Sequence, residues 1–531
     1  MQDISNRRDL NEIVIVGGGT AGWLTALMAK KYLPKNCKIT LIESEEIGIL
    51  GAGEGTLVNF SKILDDLEIS LKDILNETSA TIKNGVKFVN WNGDGKHVYD
   101  SIFSFNETLD ILGGVDPNKE GENFEIYSHL SIFHKIPPEE RDLNSFLSAS
   151  NKVPYIKNKN NNDFIKYFSQ ISPISFHFDA SKMAKFLRKI GELRGIKRIE
   201  GKVLSFNENK DNEISSIVLE NNNEINCDFI FDCSGFARLI IGKHYKKEWV
   251  SHKEYLPVDY AVPFFIPQDK DIPSYTEAVA MKYGWLWKAP LQHRYGCGYT
   301  FDSSYITEEE AIKEIEEYLG FEPEYPRKNK GGFKFNAGYY KESFVKNCIA
   351  IGLSAGFLEP LESSSLSITA TSLHRIFSNK EMLYSKDEIY CKRYNYIISL
   401  SIKYNVEFIS FHYLTNRKDT DFWKNFKKNN LMPEFSKELI KTWNLRAPSH
   451  YDLLKMNDFF PFYTWYVYGA YSGNISSKFV DKIVVENNLM QYSDKRNYLK
   501  NMQKELSDMC MEQREFILDV KSGDIKIVHE F

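Results

Sequence analysis

Cysteine is sparse and unpaired in this chain. Its seven cysteines (Cys37, Cys227, Cys233, Cys297, Cys348, Cys391 and Cys510) are scattered over 531 residues with no CxxC spacing, which excludes a thiolate zinc motif and predicts lone thiols of a reducing compartment. The eleven histidines include no HExxH and no close grouping with cysteine, so no metal is expected. Positive charge is not in excess either. With 67 Lys and Arg against 72 Asp and Glu, the net charge of −5 leaves no basic field for a nucleic-acid backbone, and no nucleic-acid partner is expected. No stretch is long and apolar enough to cross a bilayer, and the opening MQDISNRRDLNE has no apolar signal core, so a cytoplasmic protein with no membrane partner is the expectation. No internal repeat is present. Composition is silent on oligomeric state, for which a homo-oligomer, a dimer above all, is the commonest case.

What the chain does have is apolar and aromatic content, 42% and 14%, enough for a sizeable core and for walls around a flat ligand. The length fits two lobes or one large body. From Glu12 the pattern reads strand (Ile13 to Val16), glycine turn (Gly17-Gly18-Gly19-Thr20-Ala21-Gly22), helix (Ala21 to Tyr32) and strand (Lys38 to Glu43), a βαβ unit. Gly17 permits the tight bend, Gly19 lets backbone approach a pyrophosphate, and Gly22 allows close packing of a helix whose N-terminal amides face that anion. In isolation the turn reads equally as an ordinary glycine bend. Its context, with Glu43 ending the next strand where a carboxylate meets ribose hydroxyls, makes it a dinucleotide site. Two later turns, Asp232-Cys233-Ser234-Gly235-Phe236 and Gly352-Leu353-Ser354-Ala355-Gly356, each follow a strand (229–232 and 348–351) and together favour FAD over NAD.

Segments 114–125 and 135–163 are polar, with Pro137-Pro138 and an Asn/Lys run at 157–162, and read as exposed loop. Residues 200–232 read as a β-meander, and long amphipathic runs at 366–384, 386–410 and 493–520 predict a helical C-terminal third. His177-Phe178-Asp179-Ala180 reads as a capped helix start without chemistry.

Four motifs occurring in order make the chain resemble the flavin-dependent halogenases of the tryptophan halogenase type. They are the GGGTAGW opening (Gly17 to Trp23), the segment Ala80 to Trp91 around the family's essential lysine, a WxWxIP signature seen as Trp285-Leu286-Trp287-Lys288-Ala289-Pro290, and an FxEPLEST signature seen as Phe357 to Ser364. Alanine replaces isoleucine in the third, and Ser365 follows the fourth where the family usually has glycine. The stretch His412-Tyr413 through Trp423 is also similar, so the resemblance spans about 12–423.

The resemblance implies an α/β fold, an FAD-binding Rossmann-like body of the flavin monooxygenase type (1–110 and 165–370). A mainly helical substrate-binding part (111–164 and 371–531) packs with it as one unit. It implies that reduced FAD from a separate flavin reductase, oxygen and halide yield hypohalous acid, which travels through the protein to an electron-rich aromatic, indole-like or phenolic, tryptophan being one member. Lys83 matches the lysine that hydrogen-bonds the oxidant or forms a haloamine, and Glu362 the carboxylate that orients it and takes up the ring proton. The amides of Ser364 and Ser365 match the halide site, where the serine side chain predicts altered affinity or halide preference. Gly17, Gly19, Thr20, Ala21, Gly22, Glu43, Glu54, Val203, Leu353 and Leu366 match cofactor-contacting positions. Trp285 and Trp287 match the flavin passage, though core packing would place them equally well. From spacing alone Lys83 reads as a lysine on a helix, with Lys87 one turn further on as a solvated charge, and Glu359 with Glu362 as a tight turn or a solvated acidic face. The aromatic run Phe459 to Tyr466 reads as an indole wall or as helix core. The alternatives are an aromatic hydroxylase on the same body and a non-catalytic FAD-binding partner protein.

Overall fold

The computed structural model describes residues 7–46, 53–100, 120–158, 163–166, 174–327, 329–428, 431–453, 460–522 and 526–528. Four consecutive apolar residues, Ile13 to Val16, form most of β1 (Glu12–Val16), and an unalternating apolar run belongs in a strand covered on both faces. β1 lies between β2 (Lys38–Glu43) and Phe229–Asp232, parallel to both, with Val16 level with Ile42 and Asp232. Lys197–Glu200 and Cys348–Ala350 extend this parallel sheet outward, and Phe344–Val345 closes it antiparallel. The helix α1 (Thr20–Tyr32) follows the glycine turn. Its Trp23 is fully buried against Gly191 of the Ala180–Leu193 helix, where a β-carbon would come within 2.6 Å of the indole.

A small antiparallel sheet at 203–226 confirms the meander. The second large sheet has seven strands and includes β5 (Gly85–Val89), Tyr275–Ala280, Gly284–Pro290 and Arg294–Phe301. A third, of three strands, places Ser175–Asp179 between β3 (Gly53–Gly55) and β4 (Thr81–Lys83). Beyond Ser364 the chain is mainly helical, including Ser364–Ser378, Glu388–His412, Phe462–Tyr471, Ser493–Met509 and Gln513–Ser522. One apolar cluster runs from Ile13 and Trp23 through Trp91 to Trp465 and Phe516, so these helices share a core with the sheets.

Two sequence expectations are corrected. Residues 135–158, read as exposed loop, are not one: Leu143–Ala149 is a helix capped by Asp142, with Leu143, Leu147, Val153 and Tyr155 buried, and 155–158 is a strand. Polar composition misled because the polar groups are spent inward. Asp142 accepts from Ser145 N and from Tyr463 Oη, and Lys152 Nζ donates to Ser507 O. Residues 120–125 begin the Glu120–Phe133 helix, while 114–119 and the asparagines 160–162 lie outside the described residues. Lys83 and Lys87, secondly, stand on strands, where period two replaces the helical turn. Lys87 is half-buried, with its ammonium over the rings of Tyr99 and Tyr275 at 5.6 and 5.5 Å.

Candidate active site

The glycine turn is built by close approach. A β-carbon on Gly17 (φ +117°) would fall 2.1 Å from Cys233 O, and one on Gly22 only 1.8 Å from Gly17 O. At Gly19, by contrast, a β-carbon would meet nothing within 4 Å. Gly19 is also the N-cap of α1, whose first turn, opening with Thr20 and Ala21, receives no side-chain cap. Uncapped amides beside open space suit an anion, so the residues present fit a dinucleotide pyrophosphate. Glu43 Oε2 lies against Gly18, while Oε1 is held by Arg198 and stands 3.6 Å from Arg188. Leu353 sits in the second turn, where a β-carbon on Gly352 (φ +70°) would come within 2.9 Å of Ala21 Cβ. Ser354 Oγ accepts from Gly235 N at 2.9 Å and ties the two later turns together. Val203, half-buried, opens the meander, and Leu366 is packed half-buried on the core.

Lys83 ends β4 almost wholly buried. Its Nζ donates to Thr56 O at 3.1 Å and lies 2.9 Å from Ser363 Oγ. Neighbouring Ser175–Asp179 supplies His177, whose Nδ1 is 3.0 Å from Thr81 Oγ1 and whose Nε2 is 2.8 Å from Thr276 Oγ1. Because Thr81 donates its own hydrogen to Pro290 O, it accepts from His177 Nδ1, which leaves Nε2 to accept from Thr276. Burial, and then the Lys83 ammonium, hold His177 well below its ordinary pKa, so the ring is neutral. Glu54, on the facing strand, is pushed up to about 7 by burial and then by the Asp179 carboxylate. Asp179 caps the next helix through Ser181 N and Lys182 N, as the sequence predicts.

The segment 357–365 brings the remaining predicted groups to this corner. Glu362 (φ 61°) and Ser363 (φ 54°) are consecutive left-handed residues that turn the chain into the Ser364–Ser378 helix. Such conformations cost about 1–3 kcal/mol each and persist where the surroundings fix them. Ser364 and Ser365 supply the first amides of that helix, which has no side-chain cap. Ser365 has no left-handed φ and lies within the helix, so a side chain at the position normally held by glycine is accommodated by the backbone. Lys83 therefore meets the turn midway between Glu362 and the two serine amides, through Ser363.

Glu359 and Glu362 are both buried, which removes the solvated-face reading. Glu359 accepts from Trp285 Nε1 at 3.1 Å and from Tyr413 Oη at 2.9 Å, and burial pushes its carboxyl up to about 8 against the pull of those hydrogen bonds. Trp287 packs on Gly298, where a β-carbon would come within 2.1 Å of the indole. Trp285 and Trp287 are buried 6.1 Å apart. The aromatic run is helix core among the described residues, with Tyr463 bonded to Asp142, Tyr466 to His129 and Phe460 stacked on Phe408 at 4.2 Å; Phe459 lies outside them. Sequence reasoning gave His177 and Glu359 no chemistry and did not single out Thr56. The only signal was their nearness in sequence to the Asp179 cap, to Glu362 and to the glycine segment Gly53-Glu54-Gly55. Among the described residues no three His, Cys, Asp or Glu side chains gather to hold a metal, and no helix is long and apolar enough to cross a membrane.

One chain thus carries both a Rossmann-like parallel-sheet body and a buried lysine set against an uncapped helix start. Residues 12–483 match the family model described as tryptophan halogenase, and the chain belongs to that family of flavin-dependent oxidoreductases. It is similar to the tryptophan 7-halogenase RebH of Lentzea aerocolonigenes, 30% identical over 433 residues and 78% of each chain. Among solved structures it resembles the tryptophan 6-halogenase SttH of Streptomyces toxytricini (25% identity, TM-score 0.82, 96% of this chain and 100% of that one). It also resembles BrvH, a flavin-dependent halogenase from Brevundimonas sp. BAL3 (25% identity, TM-score 0.80, 96% and 99%).

Proposed function

We infer that this chain halogenates an electron-rich aromatic compound, indole-like or phenolic with tryptophan as one member, using chloride, bromide or iodide. The observation that carries the reading is the buried Lys83 ammonium 2.9 Å from Ser363 Oγ, on the turn between Glu362 and the Ser364 and Ser365 amides. Bound FAD, reduced by a separate flavin reductase, would supply the two-electron activation of oxygen that oxidises halide to hypohalous acid. The first amides of the Ser364–Ser378 helix hold halide through N–H dipoles without a full countercharge, which keeps it nucleophilic. Lys83 presents an ammonium that hydrogen-bonds the hypohalous oxygen, or an amine that takes up the halogen, and in either role it delivers halogen to the ring. Glu362 accepts the ring proton. Trp285, fixed by Glu359, and Trp287 wall the passage so that small oxidant travels and organic substrate stays out.

The body (1–110 and 165–370) binds the cofactor in this reading, and 111–164 with 371–531 shape the substrate pocket. The location is cytoplasmic and the assembly a homo-oligomer. The direct test supplies purified enzyme with flavin reductase, FAD, oxygen, bromide and a panel of indoles, phenols and tryptophan, and reads product mass. Gain of bromine supports the reading. Gain of oxygen would instead assign a hydroxylase, and bound flavin without reductase-coupled oxygen uptake a non-catalytic partner.

A further inference from the structure

One buried titratable group behind Glu362 has no part in the scheme above. His412 ends the Glu388–His412 helix with its side chain wholly buried. Its Nδ1 stands 2.8 Å from Phe408 O, and since a carbonyl only accepts, Nδ1 carries the hydrogen. In the neutral ring Nε2 then has a bare lone pair. That atom lies 3.2 Å from Glu362 Oε1, within ion-pair range but out of hydrogen-bond alignment, and among the described residues neither carboxyl oxygen of Glu362 nor Nε2 has a hydrogen-bond partner. Nε2 is therefore the atom that His412 presents to the buried Glu362 carboxyl.

The arrangement is held rigid from both sides. The imidazole packs on the neighbouring rings of Phe88 and Tyr468, with centroids 4.8 and 4.2 Å away, and Phe408 meets it edge-on at 4.6 Å. Tyr468 Oη holds the His412 carbonyl at 2.7 Å. Glu362 itself stands on left-handed backbone, with φ 61°. A ring packed by three aromatic neighbours, with Nε2 3.2 Å from the carboxyl that would receive a proton in each turnover, is placed to receive that proton next.

We propose that His412 is the second acceptor of the ring proton, acting as a positioning and proton-holding residue behind Glu362. This rests on the halogenase reading. Once halogen has added to the ring, the C–H bond at that carbon breaks, its electron pair restores the aromatic sextet, and the proton joins the Glu362 carboxylate. The proton then moves to His412 Nε2 with no further change in electrons. The carboxylate is regenerated, and the imidazolium has both N–H groups matched, one to Phe408 O and one to Glu362. It returns the proton through Glu362 to water that enters as product leaves.

The test uses the full-length enzyme with reductase, FAD, oxygen and bromide, comparing ordinary with ring-deuterated substrate, whichever panel compound the wild type brominates. For wild type, breaking the ring C–H bond is not slow and the isotope effect on kcat is near unity. In His412→Phe, which keeps the stacking, and in His412→Gln, which keeps polarity, kcat falls by roughly 10²-fold and a primary isotope effect appears. A slower variant with the isotope effect still at unity, or unchanged turnover, overturns the proposal, because a merely structural role slows the reaction without exposing that step. Nitrogen NMR of the histidine rings in the wild type reads the pairing without turnover: hydrogen on Nδ1 with Nε2 bare supports it, and hydrogen on Nε2, in a neutral ring or an imidazolium, overturns it. Absence of brominated product from wild type would overturn the halogenase reading and the role built on it, whereas product with a unit isotope effect in both variants overturns the role of His412 alone.

Discussion

Replacing Glu359 by glutamine should change how stability depends on pH while leaving the hydrogen bonds at Trp285 intact. Glu359 is fully buried, and burial pushes its carboxyl from an ordinary 4.5 to about 8. Below pH 4.5 the group is neutral whether folded or unfolded, and its contribution is fully present. Between 4.5 and about 8 the unfolded chain gives up the proton and the folded chain keeps it, so stability falls as pH rises, by roughly 1.4 kcal/mol per unit and on the order of 5 kcal/mol across the window. Glutamine does not titrate, yet its carbonyl still accepts from Trp285 Nε1 and Tyr413 Oη. Thermal unfolding of wild type and Glu359→Gln from pH 5 to pH 8 should therefore show the variant gaining on the wild type with each step. Glu359→Leu, which leaves those two buried donors without an acceptor, should cost about 1–3 kcal/mol for each at every pH. Parallel pH curves for wild type and Glu359→Gln would instead show the carboxyl to be charged where it lies.

Three further outcomes follow from the geometry. Gly22→Val drives a side chain into Gly17 O, so flavin binding followed by fluorescence quenching should be lost or strongly weakened, whereas a retained affinity would mean the turn is not the cradle. Ser365→Gly substitutes the family's usual residue at a right-handed helical position and should leave the order of preference in chloride–bromide competition unchanged; a reordered preference would show that the serine side chain reaches the halide. Asp179→Ala removes the cap of the Ala180–Leu193 helix and should lower stability by about 0.5–2 kcal/mol in denaturant titration.

The cofactor end was legible in the sequence because its physics is local. A central parallel strand is buried on both faces and reads as an unbroken apolar run, and the turn behind it needs glycine wherever a β-carbon would strike backbone. The helical third was legible through periodicity, and the Asp179 cap through its residue type. The corner at Lys83 was legible only as motifs. β4 has three residues, too few to show a period, and Ser175–Asp179 is buried at every position, so it shows no alternation either. Buried carboxylates such as Asp142, Glu359 and Glu362 were hidden because charge ordinarily means exposure, and their partners, Tyr463, Tyr413 and His412, lie far away in sequence. Ser365 shows the reverse case. The sequence marks a missing glycine, but the strained residues are Glu362 and Ser363, and Ser365 itself adopts an ordinary helical conformation.

In the proposed function Lys83 carries halogen to the ring. Lys83→Ala, assayed with reductase, FAD, oxygen and bromide against a substrate that the wild type brominates, tests it most directly. The variant should give no brominated product, with flavin binding and peroxide release retained. Bromination persisting in that variant at the wild-type rate would contradict it.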